Sequence, residues 1–271
     1  MKPRIVSLLV LLAVALAAPG CDLEFDPASE IKTQRFLGII ADPIEAAPGE
    51  PITFRAIVAN GDGSLYEGPI AWAIIGGDAA RLTGDTENVD INDFYLQPSP
   101  DLPFEWMVPE IDEFETAFGP LQSNGQILTV GATAFKNGDL ESEPVFAYKL
   151  FIVSERAEDD RLRNPELLDV EVKAAGNVLS PNEEGRFVTG AKEVKLTAQV
   201  DQKDADQTFH WFATTDKFEP DLEDEQTFDP DGTGRFSVYC VVRESFFFVH
   251  DDGRRTRVTG QDFWRGDIRF Q

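Results

Sequence analysis

Side chains able to do acid–base, nucleophilic or metal chemistry are sparse in this sequence. The chain holds two histidines, His210 and His250, and two cysteines, Cys21 and Cys240. A transition-metal or redox site needs several such donors at short spacings, and no such spacing occurs. His210 precedes Trp211 on an alternating strand, so an indole turned to the core sends the imidazole to water. Cys240 falls in phase with Phe236 and Val238, which predicts a buried, inert thiol rather than a nucleophile. No Gly-x-Ser-x-Gly or glycine-rich phosphate loop is present, which argues against the common hydrolase and nucleotide chemistries. Carboxylates are abundant, at 49. Two of them suffice for a glycosidase, so an enzyme with an atypical carboxylate pair is one alternative, but at this abundance no pair stands out.

The acids are densest between Gly76 and Asn124, with Asp85, Glu87, Asp90, Asn92, Asp93 and Asp101 followed by Glu110, Asp112, Glu113 and Glu115. Hard oxygen donors at this density suit calcium, with Asp85, Asp90, Asn92 and Asp93 as candidate ligands. A solvated acidic loop accounts for the same residues, and no EF-hand spacing occurs. Asp90-Ile91-Asn92-Asp93 resembles part of a cadherin-type calcium linker, here inside a domain rather than between domains. A calcium-dependent adhesive or carbohydrate-binding module is therefore the second reading of function.

A different candidate surface is the arm from Glu244 to Gly260. Phe246-Phe247-Phe248-Val249 rises to a turn at His250-Asp251-Asp252-Gly253 and returns through Arg254, Arg255 and Arg257. Asp-Gly between such segments predicts a hairpin. Neighbours on a ribbon point to opposite faces, so the three phenylalanines cannot share one core. Either they pack within the molecule or Phe246, Phe247, Phe248, Arg254 and Arg255 meet a partner, the basic return strand complementing an acidic surface.

The elements that must carry these residues recur twice. Leu37, Ile39 and Ala41 alternate, a turn follows at Ala47-Pro48-Gly49-Glu50-Pro51, and Ile52, Phe54, Ala56 and Val58 alternate again. Leu168, Val170, Val172 and Ala174, a turn near Gly190, and Val194, Leu196, Ala198 and Val200 repeat the order. Each copy reaches a tryptophan strand, around Trp72 and Trp211, which mark two cores. Each then has a segment ending in Pro109 or Pro230, a strand led by Gly125 or Gly234, and a closing strand, Ala147 to Val153 or Phe263 to Phe270. Short alternating strands with glycine and proline turns and no helical periodicity predict an all-β chain of two tandem immunoglobulin-like β-sandwiches. That order resembles tandem bacterial Ig-like domains, a likeness that implies a scaffold and no activity. The expected boundaries are 36–154 for the first domain, with the acidic insertion 76–124, 155–165 for a charged linker stiffened by Pro165, and 166–271 for the second.

Lys2 and Arg4 precede an apolar run from Ile5 to Ala18 of 14 residues, short of the ~20 a membrane span needs and typical of a secretory signal. Pro19-Gly20-Cys21 closes it and resembles a bacterial lipobox, with Ala18 and Pro19 in place of the usual residues. The resemblance implies a signal peptide over 1–20, lipidation at Cys21, and a tether over 21–35 that holds the protein on a bacterial membrane in the cell envelope. Ordinary cleavage after Ala15-Leu16-Ala17 is the alternative. As a whole the chain is similar to a group of envelope lipoproteins. The formal charge is −25, and −27 once Lys2 and Arg4 are removed, so nucleic acid is not an expected partner. With Cys21 acylated, no intrachain disulfide is available and burial must hold the fold. No cofactor is expected, calcium apart. The first reading is a non-catalytic, membrane-anchored envelope lipoprotein whose Ig-like domains contact another envelope protein.

Overall fold

The computed structural model describes residues 30–76, 95–97, 103–136, 139, 142, 144–203, 206–214, 223–230 and 232–271. The first sandwich contains β1 (Arg35–Asp42), β2 (Glu45–Ala46), β3 (Pro51–Ala59), β4 (Ile70–Gly76), β5 (Tyr95–Gln97), β6 (Phe104–Met107), helix α1 (Ile111–Phe118), β7 (Gln126–Phe135) and β8 (Pro144–Val153). The second contains β9 (Leu167–Ala174), β10 (Asn177–Val178), β11 (Arg186–Thr189), β12 (Val194–Val200), β13 (Gln207–Ala213), β14 (Glu225–Phe228), β15 (Gly234–Val249) and β16 (Arg255–Phe270).

The two copies have matching sheets. Strands β1-β3-β6 face β2-β8-β7-β4-β5, and β10-β9-β12-β14 face β11-β16-β15-β13. In each sandwich a short strand runs parallel to the closing strand, β2 on β8 and β11 on β16, while the other named pairs are antiparallel. The opening strand thus contributes to one sheet and its continuation to the other, giving each sandwich an immunoglobulin-like order. Both predicted copies therefore exist as all-β sandwiches, and the proline-terminated segments are β6 and β14, each paired to the strand after the first turn.

Alternation fills each core. Trp72 is 1% exposed and stacks on Phe104 at 5.6 Å between ring centres, with Phe54 and Phe151 beside them. Trp211 is equally buried, and its indole nitrogen donates to the Glu223 carbonyl at 3.0 Å, which satisfies its only polar atom. The expectation of no helix fails at α1. Phe114 and Phe118, one helical turn apart, have ring centres 5.1 Å from each other, and Phe114 is fully buried. Asp112 and Glu113 occupy the first turn, where acids favour a helix. Part of the acidic insertion is thus a helix seated on the first core.

The larger departure is in the last two strands. An arm distinct from the closing strands was expected, but β15 and β16 pair without interruption from Gly234 opposite Phe270 to Val249 opposite Arg255. The resulting ribbon of 16-residue strands belongs to the second sandwich at its base and lies against the first towards its tip.

Candidate interaction surface

One face of this ribbon carries Val238, Cys240 and Val242, which fill the second core. Four residues beyond Val242, the same phase carries Phe246 and Phe248, which pack with Val258 against Ile44, Ile127 and Ile152 of the first sandwich. The opposite face begins with Tyr239 and Val241, buried with Phe212 against Leu37, Ile40, Ile57 and Ala59. It ends with Phe247 and Val249, which are 60% and 41% exposed. A two-stranded ribbon twists strongly, so a single period-two pattern meets different surroundings along its length. Both faces thereby bind the sandwiches together at the base and middle, and one face emerges into water at the tip.

Polar groups complete the seam. Tyr239 Oη donates to the Gly63 carbonyl at 2.5 Å. Asn164 donates to the Ala41 carbonyl at 2.7 Å and accepts from the Gln261 amide at 3.0 Å. Gln261 turns its side-chain nitrogen to the Ile39 carbonyl at 3.0 Å and accepts from Arg243 Nε at 3.2 Å. Lys149 on β8 is 5% exposed and donates to the Thr259 carbonyl; burial, with the charge of Arg243 adding to it, holds its pKa well below that of a free lysine. At the tip, Ser123 Oγ donates to Asp251 at 2.7 Å and Asn124 Nδ2 to the Val249 carbonyl at 3.3 Å.

The segment between the sandwiches is clasped rather than loose. Glu45, 1% exposed, accepts from Ser154 Oγ at 2.5 Å and the Leu162 amide at 2.9 Å, and its Oε1 lies 2.9 Å from Arg156 Nε. Arg161 pairs with Glu50 across the same segment. These contacts floor a groove of about 620 Å³ that also includes Asp42, Arg55 and Asp262. Its buried charges serve the clasp, and Asp262 accepts the Leu167 amide at 2.9 Å.

Several sequence expectations need correction. Phe248 is 3% exposed, so it belongs to the seam and is not offered to a partner. Phe246 is half-buried in the same cluster. Arg254 is exposed but pairs with Asp252, its Nε donating to Oδ2 at 2.7 Å. Arg255 lies over the Phe247 ring, 5.0 Å from its centre. His210 does not face open water: its side of the sheet, opposite Trp211, is the side the first sandwich covers. Its imidazole is half-buried, and burial first, then the charges of Arg243 and Arg257, push its pKa down to about 3. Cys240 is fully buried, and burial pushes its thiol pKa well up. Cys21, Asp85, Asp90, Asn92, Asp93 and Asp101 lie outside the described residues. Among the described residues, no three His, Cys, Asp or Glu side chains converge as a metal site, and no helix is long and apolar enough to cross a membrane. Glu45, Lys149 and Arg243 were not singled out by sequence. The available signal was a charge set inside an apolar run, as in Tyr148-Lys149-Leu150 and Val242-Arg243.

No family model and no curated protein matches this sequence. Fibronectin(III)-like modules of Clostridium thermocellum CbhA are similar in structure at 9% identity, over 86% of this chain and 94% of theirs, with a TM-score of 0.25. A C-terminal fragment of intimin, solved with the intimin-binding domain of its translocated receptor, is 14% identical over 83% of this chain and 62% of its own, TM-score 0.24. Escherichia coli alpha-2-macroglobulin is 11% identical over 89% of this chain and 22% of its own, TM-score 0.26. The sandwich type follows from the strand order described above.

Proposed function

We propose that this protein is a non-catalytic contact module of the bacterial cell envelope, held on a membrane through acylated Cys21 and meeting another envelope protein through its sandwiches. The anchor reading rests on the basic, apolar and cysteine order at the N-terminus. The contact reading rests on one observation: the ribbon joins both sandwiches through apolar clusters on its two faces, yet leaves Phe247 and Val249 in water beside Arg255. Two large apolar side chains close together on one exposed ribbon face, rimmed by arginines, form the kind of patch that interfaces use.

The test has two arms. Metabolic labelling with a palmitate analogue in the source cell should mark the chain, and Cys21→Ser should abolish both the label and membrane fractionation. A chain that is unlabelled yet stays with the membrane overturns the anchor. A photo-crosslinking residue at position 247 should give one discrete adduct, and the same residue at exposed Leu168, on the second sandwich's other sheet, should give none. Equal adducts from both positions overturn the contact reading.

A further inference from the structure

We propose that the solvent face of the ribbon tip, formed by Phe247, Val249, Arg255 and Arg257, docks an extended acidic segment of a partner protein, whose carboxylates meet the arginines while an apolar side chain covers Phe247. This deepens the contact reading and rests on it.

The face is defined by register. Ser245 lies opposite Thr259, Phe247 opposite Arg257 and Val249 opposite Arg255, and opposed residues of an antiparallel pair share a face. These positions hold no carboxylate, in a chain with 49 acids against 24 bases. Its sign is therefore the reverse of the molecule that carries it, which selects an acidic partner.

The arginines are arranged for carboxylates. The Arg255 guanidinium lies over Phe247, 5.0 Å from the ring centre, which holds its charge beside the exposed ring. Arg257 Nε donates to Ser245 Oγ at 2.8 Å, which holds that side chain along the ribbon. Arg254 is not part of the set because Asp252 already engages it. A planar guanidinium beside an exposed aromatic ring matches an acidic segment that also carries an apolar residue.

The backbone accounts for the extended form. Strand β13 begins at Gln207 opposite Glu244, so among the described residues no strand pairs with β15 on that side from Ser245 to Phe247, while Asn124 takes the Val249 carbonyl beyond it. An unpaired edge accepts an added strand, and the alternation of that strand would present every second side chain to the Phe247 face. An anionic membrane is the less favoured occupant. It would meet only these two exposed arginines, against repulsion from the strongly acidic remainder.

Binding of the full chain carrying C21S is measured against two probes, a short peptide of alternating glutamate and tyrosine and vesicles of phosphatidylglycerol with phosphatidylcholine. The peptide should bind, should weaken with salt, and should lose about tenfold in affinity for each carboxylate contact removed, so R255Q/R257Q should reduce binding by at least that factor. F247S should weaken it while R254Q leaves it unchanged. Unfolding midpoints of all variants should match the parent, because the altered side chains are exposed. Overturning results are equal binding of a glutamine–tyrosine peptide, indifference to R255Q/R257Q, no peptide binding, or vesicle binding without peptide binding. A discrete adduct from position 247 together with any of these would keep the contact reading and remove the acidic specificity. Absence of the adduct would remove both.

Discussion

Replacing Phe248 by alanine should damage the protein far more than replacing its neighbour Phe247, although sequence alone gives the two residues nearly the same context. Phe248 is 3% exposed and packs with Val258 on Ile44, Ile127 and Ile152, whereas Phe247 is 60% exposed. Truncating a buried phenylalanine costs about 3–5 kcal/mol, the sum of lost transfer energy and the cavity left behind. The site lies between two sandwiches that can close partly on the gap, which places the expected cost at the lower end, about 3 kcal/mol. For a chain of this size that corresponds to a fall in Tm on the order of 6–12 °C. The exposed ring of Phe247 should cost at most about 0.5 kcal/mol. Urea unfolding followed by fluorescence of the four tryptophans reads both values. An F248A midpoint within about 0.5 kcal/mol of the parent, or an F247A as costly as F248A, refutes the packing of the ribbon against the first sandwich.

Three further outcomes are expected. Glu45→Ala leaves the Leu162 amide and Ser154 hydroxyl without their carboxylate and Arg156 without its buried partner; it should cost about 3 kcal/mol in urea unfolding, and a loss under 1 kcal/mol refutes the clasp. In C21S, Cys240 should stay unreactive to a thiol dye at mildly alkaline pH until denaturant is added, since its thiolate is opposed by complete burial; prompt labelling of the folded protein contradicts this. His210 remains neutral in the fold down to about pH 3, while in the unfolded chain it takes a proton near pH 6.5. The unfolded state therefore binds more protons in that window, and His210 makes stability fall as pH drops through it, by up to about 1.4 kcal/mol per pH unit. His210→Gln should flatten that part of the profile, measured as unfolding free energy between roughly pH 7 and pH 4; an unchanged slope refutes the assignment.

Strand alternation made the two cores readable, because Trp72 and Trp211 sit in phase with apolar neighbours that could only face inward. It also put Phe247 on the face opposite Phe246 and Phe248, without telling which face is covered. Alternation does not tell water from a second domain, however. His210, Tyr239, Val241 and Arg243 occupy one outward face, and only the three-dimensional arrangement reveals that the first sandwich covers it. Lys149 is hidden for the same reason: a lysine on an outward position reads as solvated until Thr259 is found above it. Helix α1 escaped notice because it spans only about two turns and its acids dominate the segment, so the spacing of Ile111, Phe114 and Phe118 is too short a run to stand out. The ribbon was underestimated because Arg243, Glu244 and Ser245 interrupt the apolar pattern that would otherwise extend β15 to Val249.

Sealing Ile44, Ile127 and Ile152 with Phe248 and Val258 also imposes an order on biogenesis. All strands of the first sandwich are in hand once Val153 has been made, but its covering residues lie about 100 positions later, a wait of roughly 5–20 s at ordinary elongation rates. Hairpin closure takes microseconds, so delivery of the chain, not pairing, sets that interval. Through it the nascent polypeptide carries a bare isoleucine flank, the kind of surface that chaperones hold and that aggregates when they do not.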